Sequence, residues 1–298
     1  MKTKKLLISC LLTSMALSAC ASDYKFDKII NSTSDTLKIA TYNVRIKTSG
    51  DKDERAWENR KEQVAHLIYE HKFDVFGVQE IINTSQEKVL TGLLPAFDHI
   101  SRGRDDNEGK TGERLAIFYN KKRFNLLSKG SFFLSETPEQ VSKGWDAALN
   151  RICMWAELQD KVTGKSFYFF NVHFDHMGVT ARAESAGLVT DRIKTIAGND
   201  IVFCVGDFNA SPAEPAVYSA MTSLLTDSRA ASETSPRGTV GTFNGWDVTA
   251  TDFDWKVKID YIFTQQIRTL NYEVINDKYV STTYPSDHFP VMINCLFQ

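Results

Sequence analysis

Short polar clusters sit where apolar, strand-like runs end: Tyr42-Asn43-Val44-Arg45, Gln79-Glu80, Asn171-Val172-His173-Phe174-Asp175-His176, Gly206-Asp207-Phe208-Asn209 and Ser286-Asp287-His288. Carboxylates, amides and imidazoles at the ends of strands that lie side by side make a ligand site, and oxygen-rich clusters of this kind suit Mg2+. In-line hydrolysis of a phosphate ester needs three things. A metal or cation neutralises the non-bridging oxygens, a base orients water, and the leaving oxygen needs a proton or positive charge. The clusters offer candidates for each.

Glu80 ends an apolar run as an isolated carboxylate, and Asn43 ends another with a neutral oxygen. Mg2+ takes one or two carboxylates and keeps waters, so Asn43 and Glu80 form a candidate first shell, with Asp287 facing the metal or its waters. Glu80 alone would read as a strand-end surface acid; the company of the other clusters favours the ligand. Asp207 and Asn209 project to one side if the backbone stays extended, placing a base and an amide donor together. An Asx turn would be the commoner reading of that pair alone.

Asp260 is acidic within the otherwise apolar Ile259-Asp260-Tyr261-Ile262-Phe263, and a buried carboxylate needs a partner. His288 is the expected partner, its tautomer fixed and its cation held by the acid. Glu113 can orient His173 in the same manner. Arg45 and Arg182 are candidate phosphate contacts, with surface salt bridges as the alternative. His173 and His176 have the spacing of some zinc ligands, but no cysteine or third imidazole accompanies them.

Strands are expected at Leu37 to Tyr42, Phe73 to Gln79, Leu115 to Tyr119, Ile152 to Leu158, Phe167 to Phe174, Ile201 to Gly206, Ile259 to Phe263 and Val291 to Phe297. These are short runs of β-branched and aromatic residues bounded by polar or glycine turns. Ala186, Val189, Ile193 and Ile196 form one helical stripe, and Trp57, Val64, Leu67 and Ile68 another. Thr84 to Glu87 and Ser211 to Glu214 both fit a capping box, the second with Pro212 at the first helical position. Strands alternating with helices predict sheets covered by helices, an α/β fold. Ser101 to Glu113 and Ser228 to Trp246 read as loops.

Lys2, Lys4 and Lys5 precede an apolar stretch from Leu6 to Leu17, too short to span a bilayer, as in an export signal. It ends in Leu17-Ser18-Ala19-Cys20, which resembles a bacterial lipobox. Residues 1–19 are therefore expected to be a lipoprotein signal peptide, 20–35 a tether and 36–298 the catalytic domain. Acylated Cys20 would hold the chain on a bacterial membrane without spanning it, periplasmic or at the cell surface. Removing those three lysines and no acid moves the formal charge from −2 to −5. That acidic balance disfavours duplex nucleic acid. Cys153, Cys204 and Cys295 each lie in an apolar run and read as buried thiols.

Taken together, Tyr42-Asn43-Val44-Arg45, Gln79-Glu80, Asn171-Val172-His173, Gly206-Asp207-Phe208-Asn209, Ile259-Asp260-Tyr261-Ile262 and Ser286-Asp287-His288 resemble the endonuclease/exonuclease/phosphatase superfamily. The match runs in order from about Leu37 to Phe297. It implies a four-layer α/β sandwich, two mixed β-sheets packed face to face with helices on the outer faces. It also implies that Asn43, Glu80 and Asp287 gather around Mg2+ or Mn2+, that Asp207 activates water, and that Asn209 and His173 stabilise the transition state. Asp260 would orient His288, and Glu113 in Gly112-Glu113-Arg114-Leu115 looks like the acid of the nuclease branch. Asn171 to His176, Gly178, Ala181-Arg182 and Gly241 to Trp246 look like an exported bacterial branch, with His176 and Trp246 placed among the substrate contacts.

The reading is a surface-anchored, Mg2+-dependent phosphoesterase, expected to be monomeric and to act on a small phosphate ester. A secreted nuclease is the enzymatic alternative. A non-catalytic surface-binding lipoprotein is the alternative of another class, disfavoured because no member of the catalytic set is missing.

Overall fold

The apolar runs pair into two six-stranded mixed sheets, in a computed structural model that describes residues 34–278 and 283–298. The signal segment, Cys20 and the tether as far as residue 33 lie outside the described residues. The strands are β1 (Leu37–Asn43), β2 (Val75–Ile82), β3 (Phe97–Gly103), β4 (Glu113–Asn120), β5 (Phe124–Phe133) and β6 (Ile152–Asp160). They continue with β7 (Ser166–His173), β8 (Val202–Asp207), β9 (Thr226–Asp227), β10 (Asp260–Gln265), β11 (Ile267–Val274) and β12 (Val291–Phe297). The helices are α1 (Trp57–Glu70), α2 (Asn83–Leu93), α3 (Val179–Ile196) and α4 (Pro215–Thr222).

One sheet runs β11-β12-β1-β2-β4-β3 and the other β5-β6-β7-β8-β10-β9. Both follow one plan: a central parallel pair, β1 with β2 or β7 with β8, is flanked by antiparallel neighbours. Parallel neighbours need a crossover, which α1 and α3 provide.

The facing sheets bury Ile39, Val75, Ile117, Phe169, Phe203, Val205, Ile262 and Ile293 between them. On the outer face of the first sheet, Val64, Ile68 and Leu90 of α1 and α2 cover Tyr42, Phe76 and Phe118. On the outer face of the second, Val189, Ile193, Val217 and Met221 of α3 and α4 cover Phe170, Cys204 and Phe263. Each such side chain contributes about 1.5–3 kcal/mol on burial. The result is the four-layer sandwich. The α3 stripe is fully buried at Ala186, Val189 and Ile193 and partly buried at Ile196. The three thiols are free and buried.

Several local expectations need correction. β3, β5, β9 and β11 were not read as strands, because these edge or near-edge strands carry exposed polar residues that break up the apolar run. Ser101 to Gly103 complete β3 and Glu113 opens β4, so the loop between them is shorter than expected. Neither expected capping box sits at a helix start. Helix α2 starts at Asn83, and Gln86 reaches back to accept from the Ile82 N–H. Ser211 opens a turn, Pro215 rather than Pro212 takes the first helical position, and Glu214 pairs with Arg182. Among the described residues no helix is long and apolar enough to cross a membrane.

Candidate active site

Strand register builds the site. Asn43 of β1 stands opposite Gln79 of β2, and His173 of β7 stands opposite Asp207 of β8. Antiparallel β10 puts Asp260 beside the same Asp207. Because the sheets face each other, these strand ends meet. The Asn43 Nδ2 donates to Glu80 Oε1 at 2.9 Å and, across the sheets, to Asp207 Oδ2 at 3.0 Å. It lies 3.4 Å from His288 Nε2. Ser286, ahead of β12, donates through Oγ to the Asn43 carbonyl at 2.7 Å, which brings Asp287 and His288 to the same place.

The backbone is bent to aim these side chains. The β2–β4 register shifts between Val78 and Ile81, and Glu80 sits there at φ 63°. A regular strand would send Gln79 and Glu80 to opposite faces; the bulge re-aims Glu80. Arg45, Asn209 and Trp246 are also left-handed, at φ 59°, 47° and 65°. Such conformations cost roughly 1–3 kcal/mol each and gather at functional sites. Asn171 braces the bulge from the opposite sheet. Its Nδ2 donates to the carbonyls of Val78 at 3.0 Å and Ala116 at 2.9 Å, while its Oδ1 accepts from Gln79 Nε2 at 2.7 Å. Gly206 is the close approach that lets β8 reach the site: at φ 147°, a Cβ there would lie 2.1 Å from the Val172 carbonyl.

Two imidazole–carboxylate pairs flank Asp207. The His173 Nδ1 is 3.0 Å from Glu113 Oε1 and the His288 Nδ1 is 3.0 Å from Asp260 Oδ2. A carboxylate only accepts, so each Nδ1 carries the proton. Each Nε2 then turns toward Asp207 Oδ2, at 3.6 Å from His173 and 3.8 Å from His288. The two rings differ in charge. For His288, burial opposes the cation, but Asp260 and Asp207 outweigh it and hold the ring up to about 10. For His173, burial and the Arg151 guanidinium push the ring down to about 3. Burial, then Asp260, raises Asp207; burial raises Asp287, with Glu80 adding to it.

The acids suit a hard divalent cation. Ligand atoms of Glu80, His173 and Asp207 lie within 4.8 Å of one another, as do those of Asp207, Asp260 and His288. His288 is cationic and has no free lone pair, whereas His173 keeps Nε2 open beside Glu80 and Asp207; a hard cation prefers the oxygens of this set. Asp287 is buried, offset by the cationic His288 and by Arg45 Nη1 at 3.4 Å. Glu80 and Asp287 therefore offer the carboxylate oxygens that a hard divalent cation prefers, while Asn43 turns Nδ2 toward the cluster and keeps Oδ1 on the Arg45 N–H at 3.1 Å.

The remaining expected contacts divide. Arg45 stands at the cluster, paired with Asp51 and Asp287. His176 is half-exposed beyond His173, its Nδ1 accepting from Arg151 Nη2 at 3.0 Å. Asp175 is buried, collecting the N–H groups of Ala148, Leu149, Met177 and Gly178. Arg182 is turned elsewhere: its guanidinium holds Glu214 and the Asp175 carbonyl, bracing α3 instead of meeting phosphate. Trp246 is buried between Arg55 and Arg60. The aromatic ring against the site is instead Phe243, edge-on to His288 at 5.0 Å. Arg104, in the loop after β3, and Arg151 also stand at the Glu113 end of the site. The former donates to Glu113 at 2.7 Å, and the latter lies 3.9 Å from it. In sequence they look like any surface arginine.

A family model described as Endonuclease/Exonuclease/phosphatase family matches residues 40–288. The crystal structure of such a family protein from Bacteroides thetaiotaomicron is similar, with 38% identity and a TM-score of 0.82 over 88% of this chain and 98% of that one. Similar too is the mannosyl-6-phosphatase of Bacteroides thetaiotaomicron VPI-5482, with 38% identity and a TM-score of 0.81 over 88% of this chain and 100% of that one. A protein of Acanthamoeba polyphaga mimivirus is 26% identical over 266 residues, 80% of this chain and 91% of its own.

Proposed function

The chain belongs to the endonuclease/exonuclease/phosphatase family, and from that premise we propose that it is a divalent-metal-dependent phosphatase acting on a small phosphorylated carbohydrate. Phosphoester hydrolysis is common ground for the family. The carrying observation for the mechanism is that Asp207 meets Asn43 and His288 from the first-sheet side and His173 from its own sheet, each imidazole being held by a carboxylate. Similarity to a mannosyl-6-phosphatase supports a sugar phosphate.

Asp207, raised by burial, accepts the proton of the attacking water at Oδ2. Asp207 Oδ1 accepts from the Asn209 backbone N–H at 2.9 Å, which fixes the carboxylate, while the Asn209 Nδ2 donates to the Phe174 carbonyl at 3.0 Å. The cationic His288 presents Nε2–H to the phosphoryl group, while Asp260 holds the ring. His173 is held by Glu113 with Nε2 facing the same Asp207 oxygen. Mg2+ or Mn2+ held by Asn43, Glu80 and Asp287 would supply the charge that neutralises the non-bridging oxygens. Asn43 as placed turns Nδ2 to the carboxylates and lets Oδ1 accept from the Arg45 N–H, so ligation through oxygen turns this amide over.

The test is Mn2+- or Mg2+-dependent release of phosphate from mannose 6-phosphate, measured beside bis-p-nitrophenyl phosphate and plasmid DNA. Asp207→Asn is expected to lower turnover by roughly 10²–10⁴-fold. Plasmid nicking without sugar-phosphate turnover would replace this reading with the nuclease. Metal binding without hydrolysis of any of the three would favour the binding role. We also propose export, with acylation at Cys20 as the anchor. Cys20→Ser is expected to release active protein from membranes, and equal retention would remove the anchor.

A further inference from the structure

Arg60 is the largest fully buried side chain among the described residues, and among them no carboxylate forms an ion pair with its guanidinium. A buried cation without a counter-ion costs several kcal/mol unless hydrogen bonds compensate. Burial pulls Arg60 down only to about 10, so it is charged at neutral pH.

Four backbone carbonyls compensate it. Nε donates to Arg55 at 2.8 Å, Nη2 to Arg45 at 2.7 Å, and Nη1 to both Val44 and Pro285, the latter at 3.2 Å. Val44 and Arg45 directly follow Asn43; Pro285 directly precedes Ser286-Asp287-His288. The guanidinium also faces the rings of Trp57 at 5.0 Å and Trp246 at 5.7 Å. The segment leading into Trp246 holds Asp287 in turn: the Asn244 and Gly245 N–H groups donate to the Asp287 carbonyl at 2.8 and 3.1 Å. Asn244 Nδ2 donates to the Ser286 carbonyl at 3.0 Å. One side chain from α1 thus joins three segments that have no ladder of their own at this point. A planar fork of donors can meet carbonyls in several directions, which a lysine ammonium on a flexible stem cannot reproduce.

We propose that Arg60 is the positioning residue of the metal-binding half of the site, fixing Asn43 and Asp287 relative to each other and adding positive charge behind Asp287. This rests on the reading that Asn43, Glu80 and Asp287 hold the cation. It assigns Trp246, which the sequence suggested as a substrate contact, to the support of Arg60.

A purely structural arginine would change stability and leave the folded protein's metal affinity alone. The test is therefore Mn2+ titration followed by electron paramagnetic resonance on wild type, Arg60→Lys, Arg60→Met and Arg123→Lys, each checked for folding by circular dichroism. Arg123 is a buried arginine held by Asp160 and serves as the control. Loss of a group that orients metal ligands typically weakens binding by about 10–100-fold. That loss is expected in both Arg60 variants and absent in the control. If Arg60→Met does not fold, Arg60→Lys decides. Wild-type Mn2+ affinity in folded Arg60→Lys overturns the inference alone. A wild-type protein that binds no Mn2+ overturns the reading of the site, and this inference with it.

Discussion

Replacing Asn171 with alanine removes the polar tie between the two sheets at the bulge that aims Glu80. Asn171 makes three hydrogen bonds there, two to carbonyls and one from Gln79. At about 1 kcal/mol net each, their loss amounts to about 3 kcal/mol. The Val78 and Ala116 carbonyls then lose a buried donor, which adds up to about 2 kcal/mol in all, while Gln79 Nε2 keeps its bond to Thr41 Oγ1 at 3.0 Å. A water entering the vacated space would recover part of that. The packing is close: a Cβ on Gly77 would lie 2.8 Å from Asn171 side-chain atoms. The expected destabilisation is about 3–5 kcal/mol. Urea denaturation in the presence of a chelator measures it, and Mn2+ affinity of the folded variant is expected to fall alongside. A loss below about 1 kcal/mol, or full loss with unchanged Mn2+ affinity, would refute the account of the bulge.

Other consequences are as testable. Asp260→Asn removes the carboxylate that holds His288 cationic, and is expected to lower kcat by roughly 10²–10⁴-fold; a drop under tenfold would separate Asp260 from the chemistry. Burial raises Asp74 from the usual carboxylate range to about 6, against the Lys38 N–H and the Arg123 guanidinium. The folded state then binds the proton more tightly than the unfolded one, so this group favours folding as pH falls through 6 toward 4. The wild type is expected to gain on the order of 2–3 kcal/mol relative to Asp74→Asn across that window, and parallel stability curves would refute it. Saturating Mn2+ is expected to raise Tm, by the equivalent of about 2.7 kcal/mol at a hundred times Kd; an unmoved Tm would count against a cation site.

The sequence disclosed the site better than the sheets that carry it. Asn43, Glu80, Asp207, Asp260 and His288 were legible because each interrupts an apolar strand with a group that is costly to bury alone. Central strands β1, β8 and β12 were legible for the same reason, since burial on both faces forces a continuous apolar run. Edge strand β3 and long β5, with one face partly in solvent, hid behind residues such as Arg102 and Lys129. Arg182 and Trp246, expected from the sequence as ligand contacts, are engaged within the protein, because a buried brace and a substrate contact use the same side chains. Only their partners, Glu214 and Arg60, tell them apart.

The pairing of β1 with β12 also decides which way the molecule looks. Leu37 lies against Cys295 at one pole, and Asn43 ends the same seven-residue strand at the other, about 20 Å further on. Under the anchoring proposed at Cys20, the protein would be held from the Leu37 side, with the strand ends that carry Asn43 at the opposite pole, toward solutes of the medium.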